Sequence, residues 1–358
     1  EKVCVIVDGF STGALFAPAL NKRNYNCIHL ITNRDFYADF LKQDTNNYLE
    51  ILFLDHKFEN IIEQLKKYDV LCIIPGIEGD SVIITDQLNK RLGLPGNDIA
   101  LSEARRNKFL MSKVLEKQRL LAIFSIKINS RPELIQLHSK IKSFPKVIKP
   151  ETSGASEDVT ICHTEAELEK AFEEAIGKLN NCGAINKTML IQPYISGDEY
   201  FINTTSCQGK HYINDIGVYQ KKLEEGKKPI NLRSKLVENK GWVKDIIAPY
   251  CLKVCDALGI KNGPAHIELI MHDQQPHFLE LGARLMGGGI DSKIFTDSIG
   301  YSQLDATLDC FLDPKQFFEK TRNPYVLEKQ LQFININADR SGIFKFVRAP
   351  DFLKKLRS

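Results

Sequence analysis

The stretch FLELGARLMGGG, Phe278 to Gly289, sets a carboxylate, Glu280, in an apolar run, follows it with Arg284, and closes on three glycines. Upstream, PAHIELIM (Pro264 to Met271) repeats the pattern with Glu268. Two short apolar runs this close together read as the strands of a hairpin. A hairpin of exposed or salt-bridged acids is one explanation. A binding site for a charged ligand is the other. Large apolar neighbours flank both acids, and a buried carboxylate without a partner is costly, so the second explanation carries more weight.

The chain around this hairpin is 358 residues long, which suits two or three lobes rather than one core. Apolar residues make up 43% and charged residues 26%, with a net charge of +3, an ordinary soluble balance. That charge offers no clustered basic stripe for nucleic acid or for a membrane surface, so neither is expected as a partner. The basic ending FLKKLRS (352–358) reads as a solvated helix end. Nine cysteines are scattered singly, with no CxxC pair and no zinc spacing, which predicts free thiols and a reducing, cytoplasmic compartment. No apolar run reaches the ~18 residues of a membrane span, and no signal-peptide pattern opens the chain.

The first 95 residues alternate short apolar strands (KVCVIVD, CIHLIT, DVLCIIPG) with amphipathic helices, the pattern of a parallel α/β sheet. Ligands sit at the carboxyl ends of such strands, here DGFSTG (Asp8 to Gly13) and PGIEGD (Pro75 to Asp80). Ordinary βα-turn chemistry explains these loops equally well. GLPGNDI, Gly93 to Ile99, punctuates the chain and marks a boundary. A charged helix, SEARRNKFLMSKVLEKQ, opens a second α/β segment, and after SGDEY the pattern turns to the alternation of antiparallel hairpins. Near the end, QLQFININADRSGIFKF reads as strands of a further lobe. Three parts are expected: 1–95, 96–190 and 191–358.

Charged residues along these parts form an ordered series. Lys108 lies on the charged helix. Lys149 ends a strand before Pro150 and the small-residue loop TSGAS, whose amides and hydroxyls could converge on phosphate oxygens; a plain connector has the same composition. In LIQPYISGDEYF an apolar strand runs into a loop and then Glu199, a place for a purine to pack and for ribose hydroxyls to be held; a strand–turn–strand corner is the alternative. Glu268 and Glu280, facing one side of a hairpin, could hold Mg²⁺ against phosphates, because Mg²⁺ takes few protein carboxylates and completes its shell with phosphate and water.

Taken in order, VDGFSTGALFAPAL, GLPGND with ARRNKFLM, VIKPETSGAS, IQPYISGDEY and HIEL…FLELGARLMGGG resemble the ATP-grasp superfamily, and within it carboxylate–amine ligases of the L-amino-acid ligase and dapdiamide-synthase type. The resemblance spans nearly the whole chain. It implies an α/β and α+β architecture, the ATP-grasp fold behind an N-terminal parallel α/β domain (the pre-ATP-grasp domain). It implies phosphate contacts from Lys108 and Lys149 and a phosphate lid formed by Ser153, Gly154, Ala155 and Ser156. Adenine would lie at a hinge from Gln192 through Tyr194 to Ile195, with ribose on Glu199 and Mg²⁺ on Glu268 and Glu280. Arg284 would meet the transferred phosphoryl and the acyl-phosphate.

His266, two residues before Glu268 on the same strand face, is a candidate to contact substrate, with a core hydrogen-bonding role as its alternative. Lys221 or Lys222 could reach the phosphates; a solvated strand end is the other reading. Two departures stand out. Gln192 replaces a common acid, and Gly282 stands where many members carry a metal-completing Asn. The activity implied is ATP-dependent amide formation between a carboxylate, amino-acid-like in character, and an amine, through an acyl-phosphate. ATP and Mg²⁺ are the expected cofactors, with Mn²⁺ as a substitute and a homodimer as the expected assembly. Other ATP-grasp substrates, as in glycinamide ribonucleotide synthetases and carboxylases, and a non-catalytic ATP-binding module are the competing readings.

Overall fold

The computed structural model describes residues 1–38, 40, 45–54, 58–138, 141, 143–225 and 227–335. The first sheet is parallel, ordered β3-β2-β1-β4, from β1 (Lys2–Val7), β2 (Asn26–Ile31), β3 (Glu50–Phe53) and β4 (Asp69–Pro75). Helices α1 (Phe16–Asn21), α2 (Phe58–Leu65) and α3 (Asp80–Leu92) pack on it. Burial of β1 and β2 on both faces explains their unbroken apolar runs. Strand β3 was not among the expected strands. Its four residues, EILF, pair with β2 at the sheet edge, too short for a pattern to declare itself.

The two loops at the carboxyl ends of β1 and β4 pack backbone on backbone. A Cβ on Gly13 would fall 2.4 Å from the Gly76 carbonyl oxygen, and one on Gly76 would fall 2.4 Å from that of Asp8. Only glycine permits this approach, so these two glycines serve the joint between the loops.

The charged helix of the second segment begins later than its composition suggests. Asn107 caps α4 (Lys108–Lys117) by accepting from the amides of Phe109 and Leu110. Residues 102–106 instead form tight turns, where buried Arg105 pairs with Asp86 at 2.6 Å and donates to the Leu258 and Asp98 carbonyls. That knot fixes the first lobe to the rest. The small second sheet is ordered β5-β8-β6-β7, from β5 (Ile126–Ile128), β6 (Lys146–Pro150), β7 (Thr160–Cys162) and β8 (Met189–Pro193), with α5 (Arg131–His138) and α6 (Glu165–Ala175) against it.

The third sheet is antiparallel with six strands, ordered β13-β12-β9-β10-β11-β14. Its members are β9 (Asp198–Cys207), β10 (Lys210–Glu224), β11 (Lys228–Leu236), β12 (Gly263–His272), β13 (Gln275–Gly282) and β14 (Gln332–Ile334). Helix α7 (Ala248–Ala257) packs into its core, while α8 (Ser292–Ile299), α9 (Gln303–Leu312) and α10 (Pro314–Lys320) follow β13. Of the segment expected as strands of a further lobe, the described part joins the large sheet. Gln332–Ile334 adds an edge strand to the large sheet through β11. The remainder of that segment and the basic FLKKLRS lie outside the described residues.

Candidate active site

A cleft runs between the small sheet and the large one, about 1400 Å³ with its mouth included. Lys108, Lys149, Ser153, Ser156, Gln192, Tyr194, Ile195, Glu199, Lys221, Glu268 and Glu280 all line it. Residues spread over 170 positions of sequence thus meet in one place. Gly154 lies beside it against Glu78, with Ala155 next in the same loop. His266 and Arg284 do not line it.

At the centre, Glu268 on β12 pairs directly with Glu280 on β13. Burial alone would raise the Glu268 carboxyl, but His266, Lys221 and Tyr219 together hold it down at about 2. Tyr219 donates its hydroxyl at 2.9 Å, and His266 Nε2 lies at 3.2 Å. Glu280 is met by Lys108 Nζ at 3.1 Å, and the same ammonium donates to the Ser153 carbonyl. Lys149 sits on the opposite wall, 5% exposed; burial pulls its ammonium down to about 8 against the nearby charge of Glu280. Lys149 on the small sheet faces Glu268 and Glu280 on the large one, Lys108 bridges to Glu280, and the space among them suits a polyphosphate and its metal.

Glu268 and Glu280 are a directly paired couple of carboxylates there, and among the described residues no group of three or more His, Cys, Asp or Glu could hold a metal alone. Such a pair fits Mg²⁺, whose remaining positions phosphate and water fill. The small-residue loop is carried on asparagines: Asn180 donates to the Thr152 carbonyl at 2.6 Å, and Asn181 brackets Gly154 through its amide and carbonyl. Ala155 and Ser156 take left-handed backbone, with φ of 52° and 57°.

At the far end, the Gln192 side chain is spent on Ser125 Oγ at 2.8 Å, and the Tyr194 amide donates to the Pro145 carbonyl. Glu199 and Lys221 form an ion pair on the cleft wall. Burial raises the Glu199 carboxyl to about 7, with Lys221 opposing. Lys221 is therefore part of the cleft and not a solvated strand end, whereas Lys222 is exposed.

His266 is buried behind Glu268. Its Nδ1 donates to Asn203 Oδ1 at 2.8 Å, and Asn203 Nδ2 donates to Asp215 Oδ1 at 2.7 Å. The geometry carries the hydrogen-bonding reading of His266, as a residue that orients Glu268. Arg284 turns the other way, toward the first lobe, and pairs with Glu78 of the PGIEGD loop. Burial lowers its guanidinium to about 10. A Cβ on Gly282 would lie 3.0 Å from Glu78 Oε1 and 3.3 Å from Arg284 Cζ, so the missing Asn makes room for this pair.

Sequence reasoning missed Tyr219, Asn203 and Asp215. Tyr219 was within reach, because it precedes Lys221 by two positions on one strand and so shares its face.

Residues 142–293 match the model of the ATP-grasp domain family. Dapdiamide A synthase of Enterobacter agglomerans is 30% identical over 329 residues, 91% of this chain and 77% of that protein. The crystal structure of an L-amino acid ligase from Bacillus licheniformis superposes with a TM-score of 0.78 at 20% identity, covering 99% of this chain and 85% of that one. The biotin carboxylase domain of 2-oxoglutarate carboxylase from Hydrogenobacter thermophilus, solved with MgADP, ADP and bicarbonate, gives 0.66 at 14% identity, covering 92% and 73%. The two structural likenesses speak to the fold. Among the described residues no helix is long and apolar enough to cross a membrane.

Proposed function

The chain belongs to the ATP-grasp family of ATP-dependent ligases, alongside dapdiamide A synthase, and we propose that its reaction joins an amino-acid-like carboxylate to an amine. A carboxylate cannot expel oxide, so activation is needed. A carboxylate oxygen attacks the γ-phosphorus and the bond to the β-phosphate oxygen breaks, giving ADP and an acyl-phosphate. The amine nitrogen then attacks the acyl carbon, the carbon–oxygen bond to phosphate breaks, and the amine gives up a proton.

The chain's own groups supply placement and charge. Lys149 from the small sheet and Lys108 beside Glu280 hold phosphate oxygens. The loop 153–156 covers them. Glu268 and Glu280 would hold Mg²⁺, which shields phosphate charge when bound, and Mn²⁺ substitutes by the same oxygen chemistry. The hinge at Gln192 to Ile195 takes the adenine through backbone; with the Tyr194 amide engaged, Ile195 is the donor that remains. Glu199 takes the ribose hydroxyls. Arg284, beside Glu78 and Gly282, receives the activated carboxylate.

The observation that carries this reading is the meeting of Lys108, Lys149, Glu268 and Glu280 in one cleft. The likeness to a carboxylase at 14% identity does not redirect the substrate. A non-catalytic module is set aside by the relatives, which are ligases. In the same reading 1–95, 96–190 and 191–358 act as the substrate, phosphate and metal lobes. A reducing, cytoplasmic compartment belongs to the same proposal, supported by nine free cysteines, eight of them buried. Assembly as a homodimer is checked by light scattering.

The test is phosphate release from MgATP with amino acids offered singly and in pairs. Release that needs one particular pair, and is lost in Glu280→Gln and Arg284→Ala, supports the reading. Tight ATP binding with no release under any pairing sinks it.

A further inference from the structure

A second, smaller cavity lies beneath the glycine loop, on the same face of the large sheet as the metal carboxylates. Four neighbouring strands place Gly282, His266, Asn203 and Asp215 side by side in register, one step along from the Glu280–Glu268 pair. Asp215 ends this row and lines a cavity of about 340 Å³, mouth included. It is fully buried. Its Oδ1 accepts from Asn203, while its Oδ2 has no hydrogen-bond partner among the described residues.

The rest of the wall sharpens the question. Leu15, Leu285, Met286, Ile290, Phe295 and Leu304 make it mostly apolar, and among the described residues no lysine or arginine lines it. Of its other polar groups, Gln303 donates to the Thr204 and Ala265 carbonyls and accepts from the Met286 amide, Thr12 accepts from the Gly289 amide, and Ser302 donates to Asp305. A buried carboxylate oxygen facing an apolar cavity is costly without a donor. Burial pushes the Asp215 carboxyl up to about 7, which an incoming cation would reverse.

The cavity also lies beside the segment that carries Arg284, since Leu285 and Met286 line it. Met286 lies two residues past Arg284, and Met286 and Ile290 flank the three glycines. Gly288 and Gly289 hold φ of 99° and 62°, backbone that other residues rarely adopt. The Met286 sulfur touches Asn203 Nδ2 at 3.5 Å, so the loop after Arg284 forms the roof over Asp215.

We propose that this cavity is a subsite for a primary ammonium at the end of a substrate side chain, with Asp215 as its anchoring carboxylate. The ligand class is an alkylammonium: an apolar stem against Leu285, Ile290 and Phe295, and a compact cation small enough for the floor. The proposal rests on the ligase reading only for the identity of the molecule carrying the ammonium; the site itself is a binding claim.

The test is therefore made on binding first. Butylammonium and butanol are titrated into the whole protein by calorimetry, in wild type, Asp215→Asn and Met286→Lys, with ATP affinity as the check on folding. Wild type is expected to bind butylammonium and not butanol. Asp215→Asn is expected to weaken it about tenfold or more, the loss typical of a hydrogen bond to a charged group. Met286→Lys, which hangs its own ammonium over Asp215, is expected to abolish it, with ATP binding kept in both variants. Equal binding of butylammonium in wild type and Asp215→Asn, or no binding in a wild type that binds ATP, overturns the subsite. Phosphate release with lysine or ornithine against norleucine is read separately. Its absence with every pair counts against the ligase reading while the binding result stands.

Discussion

Glu268 and Glu280 stand directly opposite each other on adjacent antiparallel strands, yet each is held by different groups, Glu268 by Tyr219 and His266 and Glu280 by Lys108. Lys108 therefore occupies a carboxylate that Mg²⁺ would share. Glu280→Gln is expected to lower ATP-dependent phosphate release at least about a hundredfold, and chelation of the metal to remove it. Retained ADP binding in the variant, read by calorimetry, separates lost chemistry from lost folding. Wild-type turnover in Glu280→Gln would remove it from the reaction.

His266 acts on Glu268 from behind, tied to Asn203 on its other nitrogen. Residues that orient a metal ligand are worth about 10–100-fold in metal affinity. His266→Phe should raise the Mg²⁺ concentration needed for half-maximal activity by that factor, with activity recovering at saturating Mg²⁺. A fall in kcat that Mg²⁺ cannot rescue would assign His266 a direct part in the reaction.

Lys149 has its ammonium lowered to about 8 by burial. In the free protein its charge is lost as pH rises through that value. Bound phosphate favours the charged form, so binding takes up a proton above pH 8. ATP affinity should accordingly fall from about pH 8 upward, measured by titration between pH 6.5 and 9.5. Lys149→Met should bind more weakly throughout and lose that limb. A flat wild-type profile would count against phosphate contact by Lys149.

Arg105 is fully buried and spends itself on Asp86 and two carbonyls. Asp86→Ala leaves that guanidinium uncompensated, a loss of about 3–5 kcal/mol. Urea denaturation followed by fluorescence measures it. A change under about 1 kcal/mol would mean that water or another acid takes over.

Gly282 leaves room for Glu78 and Arg284, and a Cβ there would crowd both. Gly282→Ala should raise KM for the carboxylate substrate several-fold with little change in thermal stability, since the displaced atoms end a flexible side chain. An unchanged KM would show that the Glu78–Arg284 pair lies outside the substrate's path.

Much of this was legible from local pattern. Buried parallel strands must be apolar on both faces, so β1, β2 and β4 declare themselves. Alternation marks β9 and β10, although β9 proves buried on both faces from Tyr200 to Cys207. The order Lys108, Lys149, small-residue loop, Glu199, Glu268, Glu280 survives in sequence because each residue sits at a fixed point of a local motif. Strand β3 was not legible, being too short for a period. The start of α4 was misjudged because Ser102 to Arg105 have helical composition, while the buried tie to Asp86 decides their path.

What the sequence by itself determined is the set of local conformations and the chemistry carried at their ends. Periodicity and glycine placement act over a few residues and need no partner to be read. Only the tertiary structure decided that Arg284 faces Glu78 from another lobe, that His266 supports Glu268 instead of facing the cleft, and that Asp215 lies under the glycine loop with one oxygen unpartnered among the described residues. Those relations depend on strand register and on which lobes pack together. Both arise from burial summed over the whole chain, which no single motif encodes.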